Sequence, residues 1–126
     1  MKVFAKIVVC ILMFAIAASA ATYTNATVKG NYSLLLEGGG SALVGLLKFD
    51  GASNVTLTYT QTGPSSGTFS GTYTVDSNGK GTITFSSQDP AITFTFVLCS
   101  VVNGNAKILN MVDTDGGVAA GTATHL

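Results

Sequence analysis

The sequence predicts an all-β protein, and three observations support this fold class. Seven clusters of turn-forming residues divide the chain after residue 20 into eight segments of strand length. Within the segments, apolar and polar residues alternate with a period of two, which places successive side chains on opposite faces of a strand. No segment shows the pattern of an amphipathic helix of three turns. The turn clusters lie at residues 37–41, 50–54, 62–67, 76–81, 86–91, 100–105 and 113–117.

Residues 1–20 have the features of a cleavable signal peptide. Lys2 and Lys6 precede an uncharged, mostly apolar run over residues 7–18, and residues 18–20 (ASA) supply the small side chains of a cleavage site. The run is too short to cross a bilayer as a helix, which needs about 20 apolar residues. We therefore expect residues 21–126 to form one secreted domain, periplasmic or extracellular, with no membrane span after the signal is removed.

The third to sixth segments show the clearest alternation. Their apolar residues alternate with threonine and serine, so one face of the sheet is predicted to be buried and the other to be a threonine-coated surface. The residues predicted to face inward are Val55, Leu57 and Tyr59 in the third segment, Phe69, Gly71, Tyr73 and Val75 in the fourth, Ile83 and Phe85 in the fifth, and Ile92, Phe94, Phe96 and Leu98 in the sixth.

Short hairpins favour an up-and-down arrangement of the eight strands. Asn78–Gly79 and Asn103–Gly104 are dipeptides that readily adopt the positive φ of tight hairpin turns. A meander of eight strands removes its two free edges when the last strand pairs with the first. The sequence thus predicts an eight-stranded antiparallel up-and-down β-barrel. The alternative is an open β-sandwich, whose usual topology needs longer crossovers.

The first, second, seventh and eighth segments carry apolar residues on both faces. Barrel closure would make these four strands neighbours, and their outward residues would then merge into one exposed apolar patch. On this basis we predict a homo-oligomer. The alternative is a sheet that folds over itself and hides both faces. The predicted interface residues are Leu35, Val44, Leu46, Leu109 and Met111.

The charge balance argues against nucleic-acid and anionic-membrane partners. Residues 21–126 hold four lysines and six acidic residues, so their formal net charge is −2, and the chain has no arginine. Because no basic cluster is present to neutralise phosphates, nothing in the sequence favours binding of nucleic acid or of an anionic lipid surface.

The residues that carry most enzyme chemistry are scarce. His125 is the only histidine, and its place beside the C terminus predicts a mobile tail rather than a catalytic base. Zinc ligands are not clustered. Asp113 and Asp115, followed by two glycines, resemble a calcium loop only faintly and are better explained as a hairpin turn. We therefore expect no catalysis, no metal and no cofactor.

Two non-catalytic functions remain open. An eight-stranded barrel encloses an interior that side chains fill or that holds one small ligand. A binding barrel would take a small apolar or amphipathic ligand, with Tyr73, Phe94, Phe96 and Asn110 as candidate inward residues. A structural or surface-interaction protein would instead have a filled core and would self-associate through its apolar face.

Residues 44–55 (VGLLKFDGASNV), 71–84 (GTYTVDSNGKGTIT) and 121–124 (GTAT) resemble a group of small secreted all-β proteins of soil bacteria such as acidobacteria. The resemblance implies export and a bacterial source, and it transfers no site, since that group is functionally uncharacterised. The chain is also similar in architecture to lipocalin and avidin barrels. It departs from them in the first strand, where Asn31 and Tyr32 follow Gly30 in place of the tryptophan that those barrels usually carry.

Overall fold

A computed structural model describes residues 22–63, 65–115 and 119–126. The predicted signal peptide lies outside these residues, as do positions 116 and 117 of the last predicted turn. Within the described residues, a 3₁₀ turn (Asn25–Thr27) precedes eight strands. The strands are β1 (Lys29–Gly38), β2 (Ser41–Asp50), β3 (Asn54–Gln61), β4 (Ser65–Val75), β5 (Lys80–Phe85), β6 (Ile92–Val102), β7 (Asn105–Asp113) and β8 (Ala120–His125).

The eight strands form a closed antiparallel barrel in sequence order. Each strand pairs with the next, and β8 returns to pair with β1 from Tyr32 opposite His125 to Glu37 opposite Ala120. The predicted up-and-down barrel is confirmed, and the alternative sandwich is excluded. Closure gives hydrogen-bond partners to the backbone N–H and C=O groups that an open sheet would leave unpaired at its two edges. His125 is the last residue of β8, so the predicted mobile tail at this position is wrong.

The period-two alternation places the core as predicted over most of the barrel. On β1 the buried residues are Tyr32, Leu34 and Leu36, while Leu35 between them faces out. The threonines of β3 lie on the outer surface. The buried core comprises Tyr23, Val28, Tyr32, Leu34, Leu36, Leu47, Phe49, Val55, Leu57, Tyr73, Ile83, Phe85, Phe94, Phe96, Leu98, Ala106, Leu109, Met111 and Ala123.

A double irregularity interrupts the pairing of β6 with β7. Leu98 lies opposite Leu109, but Ile108 lies opposite Ser100 and Ala106 opposite Val101, so the pairing skips Cys99 on β6 and Lys107 on β7. Because one residue is skipped on each strand, the register is the same on both sides of the irregularity. Leu109 and Met111 lie opposite the inward residues Leu98 and Phe96, so they point into the barrel and are buried, which contradicts their predicted place in an outer interface. For the same reason Asn110 lies on the outer face and not in the interior.

The two Asn-Gly dipeptides form different turns. Asn103 (φ 52°) and Gly104 (φ 76°) both adopt positive φ between β6 and β7, as a two-residue hairpin requires. Between β4 and β5, only Gly79 has positive φ (87°), and the loop is longer. There the Asp76 carboxylate accepts hydrogen bonds from the amides of Asn78 (2.9 Å) and Lys80 (3.1 Å). The tight hairpin predicted at Asn78–Gly79 is thus a larger loop, closed by an aspartate side chain.

The two ends of the barrel differ. One end, here called the capped end, carries the β2–β3, β4–β5 and β6–β7 turns and is covered by residues 22–28. The Asn25 side chain donates hydrogen bonds to the carbonyls of Ala52 (2.5 Å) and Tyr73 (3.3 Å), and its Oδ1 accepts one from the Val75 amide (2.7 Å). Val28 is fully buried beneath this segment. The other end, here called the open end, carries the β1–β2, β3–β4, β5–β6 and β7–β8 connections.

Candidate functional site

The capped end is filled by aromatic side chains. Phe49 contacts Tyr32, Tyr73 and Phe96 edge to face, with ring centroids 5.3, 4.9 and 6.5 Å apart. These four rings are buried, because strands β1, β2, β4 and β6 each direct one large side chain into the same layer. Edge-to-face pairs of this kind stabilise a core beyond the area that they bury. The capped end therefore holds a packed core.

Two tyrosine hydroxyls form hydrogen bonds between distant segments at the capped end. The Tyr73 hydroxyl donates to the carbonyl oxygens of Val28 (2.8 Å) and Asn25 (3.0 Å), and the Tyr32 hydroxyl donates to that of Ala106 (2.7 Å). Burial raises the pKa of Tyr32 to about 12. Burial, followed by the nearby negative charge of Asp50, raises the pKa of Tyr73 to about 12. Both phenols are therefore neutral structural donors at physiological pH.

The Asp50 carboxylate organises the turn between β2 and β3. Its Oδ1 accepts hydrogen bonds from the amides of Ala52 (2.8 Å), Ser53 (2.9 Å) and Asn54 (3.0 Å), and its Oδ2 accepts one from the Asn54 side chain (2.9 Å). These bonds favour the charged form and lower the pKa of Asp50 to about 2. The carboxylate is fully exposed and committed to the turn, so we assign it a structural role.

A cavity of about 270 Å³ opens at the open end of the barrel. Its apolar lining is formed by inward residues near the ends of the strands, together with small residues at the rim that leave space between them. The larger apolar lining residues are Leu36, Leu43, Leu57, Tyr59, Phe69, Ile92 and Phe94. Gly38, Ala42 and Ala119 lie among the small residues at the rim.

Aromatic rings form a continuous row along one wall of the barrel. The ring centroids of Tyr59 and Phe69 lie 4.6 Å apart, those of Phe69 and Phe85 lie 5.8 Å apart, and those of Phe85 and Phe94 lie 6.1 Å apart. The row crosses β3, β4, β5 and β6, and three of its four rings line the cavity. Gly67 makes room for the Tyr59 ring, because a Cβ at Gly67 would lie 3.1 Å from the hydroxyl oxygen of that tyrosine. The cavity can therefore offer aromatic faces and edges to a small molecule.

Polar groups occupy the rim of the cavity. Glu37, Gln61 and Asp113 line its entrance, near the ends of β1, β3 and β7. The Asp113 side chain accepts a hydrogen bond from the Asp115 amide (2.8 Å), which holds the carboxylate in place. Asp115 in turn accepts a hydrogen bond from the Thr93 amide at the start of β6. An apolar pocket with a few placed polar groups is the usual form of a small-molecule site.

The structure brings only one of the four predicted ligand residues to the cavity. Phe94 lines it, whereas Tyr73 and Phe96 belong to the filled capped end, and Asn110 faces outward. Sequence reasoning placed Tyr59 and Phe69 on the inner face but did not assign them to a site. In a meander, the ends of the odd-numbered strands and the starts of the even-numbered strands lie at the same end of the barrel. This signal would have selected Tyr59 near the end of β3 and Phe69 in the first half of β4.

Three of the five predicted interface residues lie on the outer surface. Leu35, Val44 and Leu46 are 46%, 55% and 41% exposed, and Leu35 and Val44 lie directly opposite each other on β1 and β2. We call these three residues the outer patch. The remaining two, Leu109 and Met111, are core residues.

The described residues hold no cluster of three or more His, Cys, Asp or Glu side chains suited to a metal ion. His125 lies at the capped end, where its ring meets that of Tyr32 edge to face with centroids 5.0 Å apart. The one histidine thus lies toward the opposite end of the barrel from the cavity. In the part of the chain that the structure describes, no helix has the length and apolar character needed to cross a bilayer.

Comparisons of the chain with protein-family models, with curated proteins and with solved structures gave no match.

Proposed function

We propose that this chain is an exported, non-catalytic binding barrel that takes one small apolar or amphipathic ligand into the cavity at its open end. The observation that carries the proposal is the contrast along the barrel axis. The same strands fill the capped end with four packed rings, yet they leave about 270 Å³ at the open end, lined by rings and leucines. A barrel with only a structural role has no need of such a space.

The size of the cavity limits the ligand. Pockets for drug-sized molecules occupy about 300–1,000 Å³, so this one suits a smaller molecule, such as a single ring with a short side chain. The rim offers polar groups at Glu37, Gln61 and Asp113, whereas the lining below them is apolar. An amphipathic molecule would therefore enter with its apolar part first and leave its polar group at the entrance.

The test is an NMR titration of residues 21–126 with 2-phenylethanol, a neutral probe with one ring. We expect chemical-shift changes confined to the open end, at Tyr59, Phe69 and Phe94. A Leu43→Trp substitution places a larger side chain in the lining and should abolish the changes. A Thr58→Trp substitution on the outer face of β3 is the matched control and should preserve them. If no open-end resonance shifts in the parent protein, the cavity does not bind this class of molecule and the proposal fails.

A second candidate function is self-association through the outer patch. The favouring observation is the direct pairing of Leu35 with Val44, two exposed branched apolar residues where the surface of β3 carries threonine. Exposed apolar clusters often mark interfaces. Native mass spectrometry of the protein from an exporting host tests this candidate and also detects any retained ligand. We expect a Leu35→Thr, Val44→Thr double variant to convert an oligomer to monomer, and a monomeric parent protein would eliminate the candidate.

A further inference from the structure

The charged side chains of the barrel are segregated between its two ends. All four lysines of the described residues lie toward the capped end: Lys29 and Lys80 begin β1 and β5, Lys48 is near the end of β2, and Lys107 is near the start of β7. Among the described residues, the only acidic residues at that end are Asp50 and Asp76. The open end carries four carboxylates and no lysine of the described chain. Its acidic residues are Glu37, Asp89, Asp113 and Asp115.

The cavity opens within this negative end. Asp113 is the last residue of β7, and the alternation along that strand places it on the same face as the buried Leu109 and Met111. It lies directly opposite Phe94, which also lines the cavity. A carboxylate and the aromatic row thus meet at one entrance.

We propose that the cavity selects a monocationic amphipathic molecule, an ammonium group carried on a small apolar or aromatic body. This inference rests on the proposed binding function and specifies its ligand class. The apolar body occupies the lining of Leu57, Phe69 and Phe94, and the ammonium group lies at Asp113 in the entrance.

Three physical effects favour a cation over a neutral or anionic analogue. The Asp113 carboxylate attracts the ammonium group by charge and by hydrogen bonding. Aromatic rings attract cations that approach their faces, and the attraction is stronger where water is excluded. The lysine-free open end repels anions and steers cations toward the entrance, because a mouth lined by one sign of charge concentrates ligands of the opposite sign.

The experiment compares three probes with the same ring and different charge: 2-phenylethylamine, 2-phenylethanol and phenylacetate. Affinities for residues 21–126 are measured by NMR titration at pH 7 and low salt. We expect 2-phenylethylamine to bind about tenfold more tightly than 2-phenylethanol, and phenylacetate to bind most weakly. The preference for the amine should shrink in about 0.5 M NaCl, where the screening length is only a few ångströms.

Two variants with the same change of charge test whether Asp113 causes the preference for the amine. Asp113→Asn keeps the oxygen that accepts the Asp115 amide, so the loop is preserved, and it should lower the amine affinity to about that of the alcohol. Asp76→Asn makes an equal change of charge at the capped end and should retain the full preference. If Asp113→Asn also retains it, Asp113 is not the partner of the ammonium group and the inference is overturned.

The remaining outcomes separate this inference from the proposed function. If the three probes bind equally and Leu43→Trp blocks all of them, the cavity binds ligands without regard to charge. The binding function then stands and the cation selectivity is wrong. If none of the probes binds, the binding function itself fails and the selectivity fails with it.

Discussion

The capped end and the open end of the barrel are built by the same eight strands, but their interiors are packed differently. At the capped end, Phe49 lies within a cluster of buried rings, and residues 22–28 cover the barrel. At the open end, Phe69 and Tyr59 line a cavity and are only partly buried. The alternation of side chains is the same at both ends. What differs is the size of the residues between the rings and the presence of a covering segment, and these decide where the barrel is hollow.

The two ends should differ most in how much stability is lost when a phenylalanine is replaced by alanine. Phe49→Ala should lower the free energy of unfolding by about 3–5 kcal/mol, because it leaves a cavity in a packed core. Phe69→Ala should lower it by roughly 1–2 kcal/mol, since this ring already borders open space and loses less burial. Urea denaturation followed by far-ultraviolet circular dichroism measures both values. Equal losses would show that the open end is as tightly packed as the capped end.

Removing one tyrosine hydroxyl at each end should give a smaller difference in the free energy of unfolding. Tyr73→Phe removes the hydroxyl that donates to the carbonyls of Val28 and Asn25 and should lower the free energy of unfolding by about 1–3 kcal/mol. The Tyr59 hydroxyl makes no hydrogen bond within the described residues, so Tyr59→Phe should change this free energy by less than about 0.5 kcal/mol. The same urea titration applies. A large loss in Tyr59→Phe with little loss in Tyr73→Phe would reverse the assignment of structural and cavity tyrosines.

Alkaline pH should destabilise the protein through the capped end. The pKa values of Tyr32 and Tyr73 are raised to about 12 in the folded protein, above their ordinary value of 10.0. A raised pKa means that folding favours the neutral phenol. Its contribution is therefore complete below about pH 10 and is lost as the pH rises through 12. Thermal unfolding measured over this window should show a steeper fall for the parent protein than for Tyr73→Phe, and parallel curves would contradict the assignment.

Acid should produce the smallest of these effects, through Asp50. Its pKa is lowered to about 2 from 3.8, so the stabilisation from its charged form is present above about pH 4 and is lost as the pH falls through 2. Asp50→Asn should flatten the dependence of the melting temperature on pH in this window. Asp89→Asn, which removes a carboxylate at the open end, is the control and should keep the slope of the parent protein. An unchanged slope in Asp50→Asn would show that the turn bonds do not depend on charge.

The placement of the candidate site could be predicted from the sequence only in part. Tyr59, Phe69 and Phe94 all fall on the inner face that the alternation identifies, and the short hairpins bring their strand ends together. Asp113 could not be assigned in this way, because β7 carries apolar residues on both faces and its own alternation does not show which face is inward. The inward face of β7 is set by its pairing with β6, which places Asp113 opposite Phe94 and Leu109 opposite Leu98.

The sequence by itself determined the strands, their order and the closed barrel. Turn residues at regular intervals allow only antiparallel neighbours, and eight such strands lose their free edges by closing. Only the tertiary structure decided which end is filled and which is hollow. That choice rests on contacts between distant residues, such as the Asn25 side chain and the Tyr73 carbonyl, which lie 48 positions apart. Local alternation fixes which face of a strand is buried, but what covers the end of a barrel depends on where the rest of the chain can pack.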